Sequence, residues 1–293
     1  MSFAEYIYTK VLKPKTLKTI TNAILLHILP KTIQVGPGTI CLNPKDPVVS
    51  GALTLRVFEP SEVHFFQKYC RGDMVVVDIG ANVGLYTALA MHALTSSSRI
   101  IALEPDPESF TFLNQTIQAN QTPGNQGHTT PRVEAFMLAA SSEKGILSLF
   151  LNPENRGDSR SYAVNENEWE CISVNSQTLD SLVESMSIHK VNFVKIDVQG
   201  YEQIVVLGFQ ETLRRSDRVI LMTEFWPKGL DDAGGSAYEY LDILTGLGFK
   251  LFELKERPRG VVQQLENRED LVARLPGRKY TNLIGVKGFP LDS

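Results

Sequence analysis

Val75-Val76-Val77-Asp78-Ile79-Gly80-Ala81-Asn82-Val83-Gly84 begins as a β-branched run and opens into a turn carrying two glycines. Leu85 to Leu94 follows with the composition of a buried helix. Glycine at a strand-to-helix junction lets the backbone turn sharply and approach a ligand closely, so the turn reads as a nucleotide-type loop. A dinucleotide fingerprint begun at Gly80 would need glycine at 82 and 85, where the chain has Asn82 and Leu85. That mismatch opposes an NAD-dependent oxidoreductase.

Outward from this stretch, elements of both periods alternate. Strand Met74 to Ile79 and helix Leu85 to Leu94 are followed by strand Arg99 to Leu103 and a helix from Pro107 to Asn120, with Asp106 as its cap. A polar loop, Gln121 to Thr130, precedes a strand near Val133 to Leu138. Strand-like Ile146 to Leu151 and Cys171 to Val174 then flank an irregular insertion near 142–175. The alternation resumes with strand Asn192 to Ile196, helix Tyr201 to Leu207 and strand Arg218 to Met222. Ser236 and Glu239 suit a capping box, and strands Phe249 to Leu254 and Leu283 to Val286 close the series. One α/β domain over 71–293, a parallel sheet with crossover helices on both faces, is the expectation. Residues 1–70 read as an N-terminal extension: a helical face of Leu17, Ile20, Ile24 and Ile28, extended pieces at Thr39 to Leu42 and Leu53 to Phe58, and a short helix opened by Pro60. Lys10, Lys13, Lys15 and Lys18 beside the first helix leave two readings open, packing on the domain or contact with a membrane surface.

The 293 residues are 43% hydrophobic and 21% charged, enough to bury a full core, and the net charge of −4 opposes a general nucleic-acid partner. Cys41, Cys70 and Cys171 are far apart and without CxxC spacing, which opposes a disulfide framework or cysteine zinc site and suits a reducing cytoplasm. The apolar run Ala23 to Leu29 is too short to span a bilayer. His27, His64, His92, His128 and His189 lack metal-ligand spacing, and no metal is expected.

Asp78, at the end of the first strand, suits a ligand with a positive amino group better than one presenting a pyrophosphate. The next strand ends in Leu103-Glu104-Pro105, placing Glu104 where a carboxylate can accept hydrogen bonds from both hydroxyls of a ribose. A ribose carrying a cationic amino-acid tail is S-adenosylmethionine, with S-adenosylhomocysteine as its product.

Four quoted stretches carry a family resemblance. Asp78-Ile79-Gly80-Ala81-Asn82-Val83-Gly84 with Tyr86-Thr87, Leu103-Glu104-Pro105-Asp106, Lys195-Ile196-Asp197-Val198-Gln199-Gly200-Tyr201-Glu202 and Thr281-Asn282-Leu283 resemble FkbM-type S-adenosylmethionine-dependent methyltransferases. The resemblance covers roughly residues 55 to 287. It implies the class I methyltransferase Rossmann-like fold: a seven-stranded, mostly parallel sheet of order 3-2-1-4-5-7-6 with the last strand antiparallel. The implied activity is O-methylation of a hydroxyl on a sugar or natural product. It also implies that Leu138-Ala139-Ala140-Ser141 lines the adenine. Gln199 departs from the family's usual glutamate, so no role resting on that carboxylate carries over. The expected cofactor set is Asp78, Gly80, Asn82, Gly84, Glu104, Pro105, Ser141 and Asp197.

Methyl transfer from a sulfonium to a hydroxyl needs alignment and the removal of one proton, so a carboxylate or histidine beside the acceptor is the minimum. In the implied order, Asp197 ends the strand next to the first one, at the crevice where ligands bind. It is the leading candidate for a base or orienting acceptor, with a helix cap as the alternative. Glu224, ending the next strand, is the second catalytic candidate; a structurally paired carboxylate is the plain alternative. Glu202 matches an acidic position of the family and is expected near the substrate, or else simply in the helix dipole. Trp226 offers an apolar wall. Asp158 and Arg160, in a polar turn that similar proteins also carry, are expected at the substrate mouth unless the turn is only a hairpin. Glu59 and Pro60 recur in similar sequences and are candidates to close over the cofactor. An amine acceptor (N-methylation) and a cofactor-binding protein without catalysis are the competing readings.

Overall fold

The computed structural model describes residues 29–121, 130–153, 155–162 and 169–291. The helical face Leu17 to Ile28, most of the polar loop after Gln121, His27 and His128 lie outside the described residues.

The described chain opens with a hairpin of β1 (Thr32–Val35) and β2 (Gly38–Cys41). Next come α1 (Pro47–Thr54) and α2 (Pro60–Tyr69). An extended piece was expected at Leu53 to Phe58, but α1 runs through Thr54. Asp46 caps it by accepting from the Val49 amide at 3.0 Å, and Pro47 supplies the preset first turn. The rest of the chain folds as β3 (Val75–Ile79), α3 (Leu85–Ala93), β4 (Arg99–Leu103), α4 (Pro107–Gln121), β5 (Arg132–Phe136), β6 (Ala139–Ala140), β7 (Gly145–Leu151), β8 (Glu170–Gln177), α5 (Leu179–Ser185), β9 (Phe193–Ile196), α6 (Glu202–Leu207), α7 (Gln210–Arg215), β10 (Val219–Phe225), α8 (Pro227–Asp232), α9 (Ala237–Gly246), β11 (Lys250–Lys255), β12 (Val261–Gln264), α10 (Arg268–Ala273) and β13 (Thr281–Lys287).

The main sheet runs β12-β11-β13-β10-β9-β3-β4-β5. It is α/β and mostly parallel, with β13 antiparallel to both neighbours. The sheet has eight strands rather than the expected seven, because β12 folds back antiparallel on β11 and extends the edge. The insertion forms a small separate sheet, β6-β8-β7.

The central strands are buried on both faces, which is why they read as unbroken apolar runs. Val77, Ile101, Val194 and Leu221 point into a core closed by α5, α6 and α9. Their neighbours Val76, Ile100, Phe193 and Ile220 point the other way, into a core closed by α2 and α3. That second core also takes Ile40, Leu42, Val49 and Leu53 from the segment before residue 70. Two polar residues of α4 receive the hairpin: Thr116 Oγ1 accepts from the Cys41 amide and Asn120 Oδ1 from the Thr39 amide, both at 2.9 Å.

β3 and β9 lie side by side at the centre, and the crossover of one leads to β4 while that of the other leads to β10. Their carboxyl ends therefore border the crevice where open α/β sheets take ligands.

Candidate active site

The turn after β3 is shaped by close contacts within the chain. Gly80, Asn82 and Gly84 all have left-handed backbones, with φ of 75°, 49° and 89°. A Cβ on Gly80 would lie 1.9 Å from the Asp197 carbonyl oxygen, and one on Gly84 would lie 2.8 Å from Leu113 Cδ1. Glycine at 80 thus lets the turn press against the end of β9. The Asn82 amide donates to Glu104 Oε2 at 2.8 Å, and the Asp106 amide donates to Oε1 at 2.9 Å. Both carboxylate oxygens are fixed in place, and each keeps acceptor capacity for a ligand. Burial pushes the Glu104 carboxyl up to about 7.

A cavity of about 420 Å³ opens above this turn. Of the residues expected at the site, Gly80, Asn82, Glu104, Pro105, Asp158, Arg160, Asp197, Glu224 and Trp226 line it. Asp78, Gly84, Ser141 and Glu202 stand outside that lining, each for a visible reason. Asp78 is buried beneath the turn: Thr87 Oγ1 donates to its Oδ2 at 2.7 Å, and Oδ1 has no hydrogen-bond partner among the described residues. Gly84 faces α4. Ser141 turns its carbonyl toward Gly208, where an added Cβ would be 2.0 Å away, and its Oγ toward Tyr201. Glu202 is fully buried behind the wall, accepting from the amides of Val198 at 3.1 Å and Gly200 at 3.0 Å. It staples the turn that carries Asp197.

The carboxyl ends of β9 and β10 gather an acidic cluster. Gln199, in a left-handed conformation, donates from Nε2 to Asp197 Oδ1 at 2.6 Å, and Lys195 Nζ donates to Oδ2 at 3.3 Å. The Lys195 ammonium lies 4.9 Å from the centre of the Tyr86 ring, and the Tyr86 hydroxyl donates to Glu59 Oε2 at 2.6 Å. Glu62 accepts from Asn282 Nδ2. The Glu224 side chain is buried and makes no hydrogen bond among the described residues. Burial works against the charge on Lys195, but Asp197, Asp78 and Glu59 outweigh it and hold the ammonium above its ordinary range. For the acids burial dominates. Glu59 is pushed up to about 8, Glu62 and Glu202 to about 7, and Glu224 well above the usual carboxylate range. Glu59, a candidate in the sequence to close over the cofactor, lines the cavity, whereas Lys195 and Tyr86 were missed there as site features. A lysine inside an otherwise apolar strand was the available signal.

Those raised carboxyls set the pH dependence of stability. A carboxyl whose folded value lies above its unfolded value binds its proton more tightly when folded. The stabilisation is complete below the unfolded value and lost as pH climbs through the folded one. With Glu59, Glu62, Glu104 and Glu202 raised to between about 7 and 8, the ligand-free protein is expected to melt at a lower temperature at pH 8 than at pH 6. Thermal denaturation across that range checks this; a melting temperature that rises with pH contradicts it.

The insertion supplies the outer wall. Arg160 donates from Nε and Nη2 to Asp158 Oδ1 at 3.1 and 2.8 Å. Its guanidinium lies 4.9 Å from the Trp226 ring centre, 5.5 Å from Trp169 and 5.9 Å from Tyr162. Tyr162 in turn donates its hydroxyl proton to the Gln199 carbonyl at 2.9 Å, tying the insertion to the turn that bears Asp197. Arg156 pairs with Glu108 at 3.2 Å, anchoring the same loop to the start of α4.

A second cavity of about 450 Å³ lies between the β1–β2 hairpin and α2, rimmed by Arg56, His64 and Arg259. Leu53, Phe58 and Leu85 line both cavities and form the partition between them. Among the described residues, no group of three or more His, Cys, Asp or Glu is arranged to hold a metal ion. None of the described helices is long and apolar enough to cross a membrane.

A family model for the methyltransferase FkbM domain matches residues 78–251, from the acid beneath the turn to the strand beyond α9. The chain belongs to the FkbM methyltransferase family. A hexuronic acid methyltransferase, AglP, from Haloferax volcanii is 26% identical over 149 residues, 51% of this chain and 55% of that one. The match thus takes in little more than half of that relative's length. A 2-O-methyltransferase, NoeI, from Sinorhizobium fredii is 26% identical over 206 residues, 64% of this chain and 76% of that one. A solved FkbM methyltransferase from Methylobacillus flagellatus superposes with a TM-score of 0.45 at 11% identity, over 92% of this chain and 59% of that one.

Proposed function

We propose that this FkbM protein binds S-adenosylmethionine in the 420 Å³ cavity and transfers its methyl group to a hydroxyl of a small-molecule acceptor, a sugar or related metabolite. The observation that carries the reading is Glu104, clamped by the amides of Asn82 and Asp106 at the cavity wall beside the glycine turn. A carboxylate so fixed is preorganised to accept from both ribose hydroxyls. Leu138, Ala139 and Ala140 give the adjoining wall the small apolar surface an adenine ring needs, and the cavity is of the size that holds a nucleoside-sized ligand. The hydroxyl acceptor is supported by the name of one relative, a 2-O-methyltransferase, and the sugar class by that of another, a hexuronic acid methyltransferase.

When bound, S-adenosylmethionine supplies a methyl group on a sulfonium, open to in-line displacement by an oxygen. Asp197, held on both oxygens by Gln199 and Lys195, orients the acceptor hydroxyl. Glu224 takes the hydroxyl proton: its carboxylate lines the cavity, has no competing partner among the described residues, and burial, with Asp197 beside it, strengthens its hold on a proton. The caged pair of Arg160 and Asp158, with Trp226, shapes the acceptor side.

Calorimetric titration with S-adenosylmethionine, S-adenosylhomocysteine and NAD tests the cofactor, and a methyl-transfer screen over hexuronic acids and other sugars tests the acceptor. Binding of NAD alone overturns the reading. With an acceptor in hand, Glu224→Gln is expected to lower kcat by about 10²- to 10⁴-fold while leaving S-adenosylhomocysteine affinity unchanged. Equal loss of affinity and turnover would move Glu224 from proton transfer to cofactor binding.

A further inference from the structure

We propose that Glu59 is the carboxylate that grips the α-ammonium of the cofactor's amino-acid tail. This rests on the cofactor reading above and adds the residue that selects for the tail.

With the ribose held at Glu104 on the β4 side, the rest of the ligand would lie along the wall that continues past the Gly80 turn to β9. There the cavity wall carries Lys195, Asp197, Glu59 and Glu224. A zwitterionic tail needs one fixed cation and one open carboxylate, and Lys195 supplies the cation. The carboxylate is found by comparing partners. Asp78 lies under the turn, outside the wall. Asp197 is already charge-matched by Lys195 at 3.3 Å and is assigned to the acceptor hydroxyl. Glu62 bonds Asn282 and does not reach the main cavity. Glu224 stands on the acceptor side, on the strand that leads to Trp226. Glu59 has one oxygen oriented by the Tyr86 hydroxyl and the other without a hydrogen bond among the described residues. Its backbone is left-handed, with φ of 43°, at the residue just before α2. Glutamate rarely adopts that conformation, and strain of this kind persists where the surroundings enforce it, commonly at ligand sites.

The same geometry predicts a proton signature. Facing Glu59 are Lys195 from β9, Asp197 just past its end, Glu62 from α2, Tyr86 from α3, Glu224 from β10 and Tyr280 ahead of β13. Burial, with Asp197 and Glu62, keeps the empty-site carboxyl protonated at pH 7, at about 8, against the opposing pull of Lys195. An ammonium brought against it favours the ionised form, so binding at pH 7 releases a proton to the buffer and affinity rises with pH toward 8.

The test titrates the wild type and Glu59→Gln with S-adenosylhomocysteine and with 5′-methylthioadenosine, which keeps the nucleoside end and lacks the amino-acid tail. Each titration is repeated in buffers of different ionisation enthalpy. The wild type is expected to release about one proton on binding S-adenosylhomocysteine and none with methylthioadenosine. Glu59→Gln is expected to bind S-adenosylhomocysteine about tenfold more weakly or worse, lose the proton release, and bind methylthioadenosine unchanged. Unchanged methylthioadenosine binding also reports an intact fold. Tyr86→Phe, which removes only the hydroxyl that orients Glu59, is expected to show the same selective loss in smaller degree. Wild-type affinity for S-adenosylhomocysteine in Glu59→Gln, or equal loss for both ligands, overturns the assignment. Failure of the wild type to bind either ligand overturns the cofactor reading itself.

Discussion

Glu104→Ala is expected to lower the affinity for S-adenosylhomocysteine by roughly two to four orders of magnitude. Two hydrogen bonds to a charged acceptor are lost, at about 1.5–3 kcal/mol each. The substitution also strips the Asn82 and Asp106 amides of their acceptor, at a cost in stability of about 1–3 kcal/mol apiece. Melting temperature and affinity therefore both fall, and Glu104→Gln separates them. It keeps the volume and one carbonyl acceptor, so more of the fold's stability returns than of the affinity. Calorimetry beside thermal denaturation reads both quantities. If Glu104→Ala binds S-adenosylhomocysteine within about threefold of the wild type, the ribose placement is wrong.

The second large effect is steric. In Gly80→Ala a methyl must occupy a point 1.9 Å from the Asp197 carbonyl oxygen, on a residue with φ of 75°. The left-handed backbone costs about 1–2 kcal/mol and the overlap about 1–3 more. A fall in melting temperature of roughly 3–8 °C follows for a chain of this size. Relief of the clash requires β3 and β9 to separate where the cavity opens, so cofactor affinity falls as well. Gly72→Ala is the matched control: its φ is 84°, but an added Cβ meets nothing within 4 Å. Only the backbone cost of about 1–2 kcal/mol applies there. Equal destabilisation by the two alanines would refute the close-contact explanation of Gly80.

The parts of this protein legible in its sequence are those encoded by local pattern. Val75–Ile79, its turn and Leu85–Ala93 carry strand period, glycine punctuation and helix composition in consecutive residues, and Pro107 announces α4 by itself. β12 was missed because Val261-Val262-Gln263-Gln264 is short and lacks alternation; it is a strand only because β11 offers it a partner. The extended reading of Leu53 to Phe58 gave β-branched and aromatic composition more weight than the Asp46-Pro47 helix start. At the site, Glu104 was readable because it ends a strand whose place was clear. Asp78 and Glu202 carry the right chemistry, but which side of the wall a carboxylate faces depends on how the Gly80 and Gln199 turns fold over them. Glu59 comes near Asp197 only through tertiary contacts between segments more than a hundred residues apart, which no local window contains.

The partition formed by Leu53, Phe58 and Leu85 sets where the first chamber ends and the second begins. None of the three belongs to the carboxylate and amide machinery around Glu104, Asp197 or Glu224. Trimming them would join the two chambers into one longer groove with Arg56 and Arg259 at its far rim, while enlarging them would shorten the reach of the first. The length of the first cavity can therefore change through three aliphatic and aromatic positions, with the amide clamp on Glu104 left intact.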